Sequence, residues 1–145
     1  MTHTDASVRM CAECGAPRVG ELACFDMLGQ LLAWEVDYAE LRAEHFLTVA
    51  SYNLQHPAQF TDDAIAGLRQ SYIDYLDRGI AIGEIRRRAS AAFDGSKRVR
   101  RGEASIRPVL RTWPMTIADV YGVGDPSGAA ERVRMWGREI REVIG

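Results

Sequence analysis

Residues 38–57 have the sequence YAELRAEHFLTVASYNLQHP. Their apolar residues recur at helical spacing on two sides, and a helix that is apolar on most sides is buried by its neighbours. Pro57 ends this helix, because the residue before a proline is pushed out of the helical region. The stretch therefore predicts a central, buried helix from about Tyr38 to Leu54.

Helical spacing of apolar residues continues on both sides of this segment. Thr61 is a typical N-cap and Gly79 a typical residue after a helix end, so a third helix is expected between them. The expected helices cover about residues 22–34, 38–54, 61–78 and 83–93, with a short turn from Thr116 to Gly122 and a last helix starting at Asp125-Pro126.

The 145 residues, 47% hydrophobic and 26% charged, are typical of one globular domain covering residues 1–145. The predicted fold class is all-α, an irregular bundle of about five helices with a loop at its N-terminus. At most a short extended pair is expected within residues 97–113.

The loop contains Cys11-Ala12-Glu13-Cys14-Gly15, a C-x-x-C-G motif. Two thiolates at this spacing reach one ion, and the following glycine permits the tight turn beneath it. Cys24 begins the first predicted helix, where the helix N-terminus favours a thiolate. Three cysteines in this pattern predict an N-terminal zinc-knuckle loop, a Zn²⁺ site with one ligand still to be found. The alternatives are a redox motif, although no strand precedes Cys11, and unconnected core cysteines.

Three histidines are candidates for the fourth ligand, and His3 is set aside because it lies near the N-terminus. If the first two helices form a hairpin folded near residue 36, Cys24 lies roughly 18 Å from the turn, His45 roughly 13 Å and His56 roughly 30 Å. This geometry favours His45, and the predicted metal ligands are Cys11, Cys14, Cys24 and His45. The other interpretation of His45 is a core histidine.

No catalytic residue is assigned. If His45 does not bind the metal, a position stays open to water, as in catalytic zinc sites, and His56 or Glu44 becomes the candidate base. His56 also suits a structural role, because a cation at a helix C-terminus interacts favourably with the free carbonyls.

Charge is distributed unevenly along the chain. Residues 86–111 contain eight Arg, one Lys and two acidic residues, whereas the whole chain has a net charge of −2. An acidic protein or nucleic acid is therefore a candidate partner, and the alternative is a solvated loop that neutralises the acidic N-terminal part. The basic residues concerned are Arg86, Arg87, Arg88, Lys97, Arg98, Arg100 and Arg101.

No stretch approaches the roughly 18 apolar residues that span a bilayer. The N-terminus lacks the basic flank and apolar core of a signal peptide. These features predict a cytoplasmic protein without a membrane partner, where cysteines serve as ligands or free thiols rather than disulfides.

The cysteine motif, followed by HFLTVASYNLQHP over residues 45–57, resembles a bacterial family of unknown function, DUF5946. Its members carry a similar H-x-L-T-V-x-x-Y-x-x-Q-H-P stretch. Residues 115–120 and 133–136 are also similar to that family, so the resemblance covers nearly the whole chain. It implies a shared fold and a shared Cys/His site, and it brings no activity.

The leading hypothesis is a zinc-stabilised helical module, non-enzymatic, that acts through a protein or nucleic-acid partner. The alternative is a small zinc metalloenzyme with an open coordination position and His56 as base.

Overall fold

A computed structural model describes residues 10–92 and 112–145. This part of the chain confirms the all-α class, since its only β pairings are isolated bridges between Met10 and Pro17 and between Val19 and Leu22. None of its helices is long and apolar enough to cross a membrane. The helices are α1 (Cys24–Trp34), α2 (Ala39–Arg42), α3 (His45–Leu54), α4 (Asp62–Arg78), α5 (Ile82–Ala92), α6 (Ile117–Tyr121) and α7 (Ala129–Ile144), with a 3₁₀ turn at Pro57–Gln59.

The predicted helix ends agree best where a capping residue marks them. The Thr61 side chain accepts a hydrogen bond of 3.2 Å from the Ala64 amide at the start of α4. Gly79 ends α4 with φ of +66°, a conformation that suits glycine because it has no Cβ. The last helix starts later than expected, at Ala129 after Gly128.

The central helix differs most from the prediction. The expected single helix over 38–54 is interrupted, so that α2 ends at Arg42 and α3 begins at His45. Glu44 lies at the interruption, and its carboxylate forms an ion pair of 3.0 Å with the guanidinium of Arg134 in α7. Glu44 thus contacts a residue far away in the chain, and local helical spacing carries no sign of such a contact.

The core lies between α3, α4 and α7, with α1 and α6 against it. Trp136 of α7 is fully buried, and its indole N–H donates to the Gln55 side-chain oxygen at 3.3 Å. The Gln55 amide in turn donates to the Met115 carbonyl at 2.8 Å. Helix α7 approaches α3 closely at Gly137, where a Cβ would lie 3.2 Å from the Leu47 side chain. Buried Gln55 therefore fixes the end of α3 to the bundle, directly before His56.

An ion-pair cluster joins α5 to α4. The carboxylate of Asp74 is buried and accepts from Arg88 of α5 at 2.6 Å. It also accepts from Gln70 at 3.1 Å and from Arg78 at 3.4 Å. These donors hold the pKa of Asp74 below its usual value, with the Arg88 hydrogen bond as the largest cause.

Candidate metal centre

The C-x-x-C-G motif folds as a tight turn. The Gly15 amide donates to the Cys11 carbonyl at 3.0 Å, and the Cys11 amide donates to the Ala16 carbonyl at 3.0 Å. Gly15 has φ of +81°, which glycine adopts without a Cβ clash. The Ala16 amide also donates to the Cys14 sulfur at 3.3 Å. The turn therefore points both sulfurs to one side and supplies one of them with a backbone donor.

Two further residues reach this turn from separate helices. Cys24 is the first residue of α1, and His56 follows the end of α3. The Nε2 atom of His56 lies 3.3 Å from the Cys24 sulfur and 3.5 Å from the Cys11 sulfur. The ligand atoms of Cys11, Cys14, Cys24 and His56 all lie within 4.8 Å of one another. Three segments of the chain thus meet at one group of three sulfurs and one nitrogen.

Tyr52 fixes the orientation of the His56 imidazole on the side away from the sulfurs. Its Nδ1 atom lies 2.7 Å from the Tyr52 carbonyl oxygen, so Nδ1 carries the hydrogen that this acceptor requires. Nε2 is then the ring nitrogen that faces the sulfurs, and it can bind a metal ion once its own proton is displaced, as in metal-binding histidines. The Tyr52 ring stacks on the imidazole at a centroid distance of 4.1 Å, and its hydroxyl donates to the Cys24 sulfur at 3.8 Å. Tyr52 therefore orients two members of the group.

Glu13 connects the turn to the chain after His56. Its carboxylate, between the two cysteines of the motif, accepts a hydrogen bond of 2.9 Å from the Ala58 amide. Cys14 and His56 are buried, with 2% and 5% exposure, whereas Cys11 and Cys24 are half-buried. The group therefore sits at the edge of the core, with one side towards the surface.

The side chains of the group shift one another's pKa values. The hydrogen bond with Cys14 is the main cause that lowers the pKa of the Cys24 thiol to about 3, and His56 lowers it further. The same contact, together with burial, raises the pKa of Cys14. Burial disfavours the charged form of His56, but Cys24 and the Tyr52 carbonyl outweigh it and raise its pKa to about 9. The contact between Cys14 and Cys24 and the neighbouring imidazole of His56 thus favour the thiolate form of Cys24.

These distances suit a tetrahedral metal ion. Metal–sulfur bonds of about 2.3 Å and metal–nitrogen bonds of about 2.0 Å at tetrahedral angles separate sulfur from nitrogen by about 3.5 Å. The two sulfur–nitrogen distances at His56 are 3.3 and 3.5 Å. Cys11, Cys14, Cys24 and His56 could therefore hold one metal ion with four protein ligands.

The histidine beside the cysteines is His56, not the expected His45. The His45 side chain is 51% exposed, and its Nδ1 atom lies 2.9 Å from the carboxylate of Glu35. The three predicted cysteines are brought together, and the histidine beside them is the candidate that the hairpin estimate had disfavoured as fourth ligand.

The reason is the length of the connection between α1 and α3. The hairpin was expected to fold near residue 36, but residues 35–44 form the whole connection, including α2. Glu35 therefore lies beside His45. Helices α1 and α3 both extend from this contact towards the Cys/His group. Cys24 precedes Glu35 by eleven residues, and His56 follows His45 by eleven residues. At 1.5 Å per residue both lie about 16 Å from the Glu35–His45 contact, which brings them level.

Glu13 and Tyr52 support the site, and neither was among the predicted metal ligands. The spacing of Tyr52 and His56, four residues apart, does indicate a shared helix face. No pattern in the sequence indicates the contact between Glu13 and Ala58, because it depends on how two distant segments meet.

The basic residues lie partly in the described chain. Arg87 pairs with Glu84 at 2.6 Å, and Arg88 pairs with Asp74 and Glu84. Arg86 is exposed. Lys97, Arg98, Arg100 and Arg101 lie outside the described residues, as does His3. Of the three consecutive arginines, two are thus engaged in ion pairs within α4 and α5.

The profile of a family described as "Family of unknown function (DUF5946)" matches residues 9–145. The chain belongs to this family. The match includes all four residues of the DUF5946 chain's Cys/His group. Comparison with curated proteins and with solved structures finds no match.

Proposed function

We propose that this DUF5946 chain is a zinc-stabilised helical module in which Cys11, Cys14, Cys24 and His56 bind one structural Zn²⁺. The observation that carries the proposal is the convergence of three thiol groups and one oriented imidazole within 4.8 Å. Zinc prefers such ligands in tetrahedral geometry. In a reducing compartment three cysteines with a histidine serve metal binding better than disulfide formation.

The number of protein ligands supports a structural role. Structural zinc sites are closed by four protein ligands, whereas catalytic sites keep a position for water. With His56 as a ligand, the four positions are filled and His56 is no longer available as a base. This favours the structural site over the alternative of a small metalloenzyme with an open position.

The two histidines provide a matched test. Protein purified without added zinc is expected to contain about one zinc per chain by elemental analysis. His56→Ala should lose most of this metal, whereas His45→Ala should keep it, because His45 contacts Glu35 instead. His56→Cys restores a fourth ligand and should restore binding.

Substitution with cobalt(II) gives a second measurement that does not depend on protein yield. The wild-type chain and His45→Ala should show the visible absorption of tetrahedral cobalt with thiolate bands. Wild-type protein without metal, or equal metal loss in both alanine variants, would contradict the proposal.

We also propose that the module acts through an acidic partner, nucleic acid or protein, at the basic residues from Arg86 to Arg101. The charge of this part of the sequence supports the proposal, with eight Arg and one Lys in residues 86–111. Retention on an immobilised random oligonucleotide should fall steeply with salt, because cation–phosphate contacts release counterions. Reversal of Lys97, Arg98, Arg100 and Arg101 to Glu should abolish it. Absence of retention at low salt would exclude nucleic acid and leave an acidic protein.

A further inference from the structure

A second concave site lies on the side of α3 where His45 and Asn53 are found. It has a volume of about 350 Å³ and is formed by α3 with parts of α2, α4 and α5. This volume falls within the range of roughly 300–1,000 Å³ that is usual for small-molecule sites. None of the four residues of the metal group lines it.

The floor of this pocket is apolar. One side of the floor comes from α3 and consists of Phe46, Val49 and Ala50. The other side comes from α4 and α5 and consists of Leu68, Ile82 and Ile85. Ile85 and Ala50 are buried, and the other four side chains are partly exposed. The hydrophobic effect favours covering such a surface with an apolar group.

The rim is cationic. Arg42 and Arg86 both line the pocket, and none of its described lining residues is acidic. No carboxylate of the described chain lies within 4.0 Å of either guanidinium, in contrast to Arg87 and Arg88. The Arg42 side chain is already oriented, because it donates to the carbonyls of Glu35 at 2.7 Å and Val36 at 3.2 Å. An oriented cation loses less entropy when a ligand binds.

From this combination we infer that the pocket binds a small organic anion with an apolar body, such as a carboxylate with a short hydrocarbon chain. The hydrocarbon covers the floor between Phe46 and Ile82, and the anionic group lies between Arg42 and Arg86. His45, which contacts Glu35, lies at the same rim. Asn53 adds an uncharged amide there. This site does not depend on the zinc proposal.

Two other occupants fit less well. The chain's own residues 93–111 carry six basic and two acidic residues, so their charge matches that of the rim instead of complementing it. A nucleic acid would supply phosphates for the arginines, but its sugar–phosphate backbone would leave the aliphatic floor uncovered. An apolar carboxylate satisfies both parts of the pocket.

The test is a titration of the full chain as purified with sodium octanoate, followed by amide chemical shifts in NMR. Saturable shifts are expected at the amides of Val49, Asn53 and Ile82, with a dissociation constant of about 1 mM for so small a ligand. Octylammonium chloride has a hydrocarbon chain of similar length and the opposite charge. Its affinity should therefore be lower by about tenfold or more.

Neighbouring arginines of α5 provide a matched pair of variants. Arg86→Glu should weaken octanoate binding by roughly tenfold or more, because it reverses a charge at the rim. Arg87→Glu should leave binding within about twofold, because Arg87 pairs with Glu84 and does not line the pocket. Zinc content should be unchanged in both variants, which separates this result from the zinc proposal.

Several outcomes would overturn the inference. Equal binding of octanoate and octylammonium would show that the charge of the ligand is irrelevant. Equal effects of the two variants, or shifts confined to other residues, would place the anion elsewhere. Shifts at the same amides that grow with protein concentration alone, or tighter binding of a random oligonucleotide there, would assign the pocket to a second copy or to nucleic acid.

Discussion

The N-terminal segment of residues 10–23 and helix α7 are held in place in different ways. The segment contains no helix, and its backbone pairing consists of two isolated bridges and a few turns. It buries only Cys14 and Ala16. Helix α7 instead buries a continuous face that includes Val133, Trp136 and Ile140.

Under the zinc proposal, this difference separates a part of the fold held by specific ligand atoms from a part held by packing. Burial of an aliphatic side chain stabilises by roughly 1.5–3 kcal/mol and requires no particular partner atom. A metal ion accepts only certain donors at certain distances, but in small zinc domains it contributes about 10–16 kcal/mol. We therefore expect the order of residues 10–23 to depend on the metal, and that of α7 to depend on packing.

The largest expected effect comes from metal removal. Chelation should release residues 10–23, because weak contacts then remain: sulfur contacts to Cys24 and His56, the hydrogen bond from Ala58 to Glu13, and the burial of two small side chains. Hydrogen exchange measured by mass spectrometry should show nearly complete loss of protection in this segment. Peptides from α7 should keep most of theirs, since the helical hydrogen bonds of α7 and the burial of Val133, Trp136 and Ile140 require no metal.

Addition of zinc to the chelated protein is the control and should restore protection in residues 10–23. If α7 lost protection to the same extent as the N-terminal segment, the two regions would form a single cooperative unit, and the contrast between them would not hold.

The converse change is Trp136→Ala. It removes a fully buried indole and its hydrogen bond to Gln55, so we expect the free energy of unfolding to fall by about 3–5 kcal/mol. Urea denaturation of the metal-loaded protein measures this loss. Zinc content should stay near that of the wild type, because the indole donates its hydrogen bond to Gln55 and not to any of the four proposed ligands.

Trp136→Phe is the matched variant, because it keeps an aromatic ring and loses the indole N–H donor. Its destabilisation should be clearly smaller than that of Trp136→Ala. A Trp136→Ala protein that is folded but free of metal would show that packing of α7 controls the metal site through Gln55.

The helices were predictable where the signal is local. Thr61 and Gly79 enclose α4 as expected, since a side-chain cap and a left-handed glycine act on their own backbone. The break before His45 was not predictable in this way, because nothing in the local spacing marks it and Glu44 is engaged by Arg134 from α7.

The sequence predicted the three cysteines of the site and the need for one histidine, but not which histidine. The spacing of Cys11 and Cys14 predicts that both sulfurs lie together, because only two residues separate them. The choice between His45 and His56 depends on how many residues the connection from α1 to α3 uses. A connection of residues 35–44 instead of a turn near residue 36 shifts the pairing towards His56. The alignment of two helices along their axes depends on tertiary contacts, so helical periodicity in the sequence does not predict it.

The smallest expected effect concerns Asp74 and acid. The lowered pKa of Asp74 means that its ion pairs add stability above the unfolded-state pKa of about 3.9 and lose it as the pH falls through the lower folded-state pKa. Asp74→Asn should therefore be less stable than the wild type at neutral pH, and the difference should shrink below about pH 4. Acid also releases metal by protonating the cysteines, but it does so in both proteins and cancels in the difference.

Asp77→Asn is the exposed counterpart. Asp77 pairs with Arg141 at 2.7 Å on the surface, and exposed ion pairs contribute little because water competes with them. Thermal unfolding across a pH series should therefore separate the two variants, with a larger pH-dependent difference for buried Asp74. Identical profiles would mean that the Asp74–Arg88 contact is no stronger than a surface pair, and that α5 is joined to the bundle mainly by burial of Ile85.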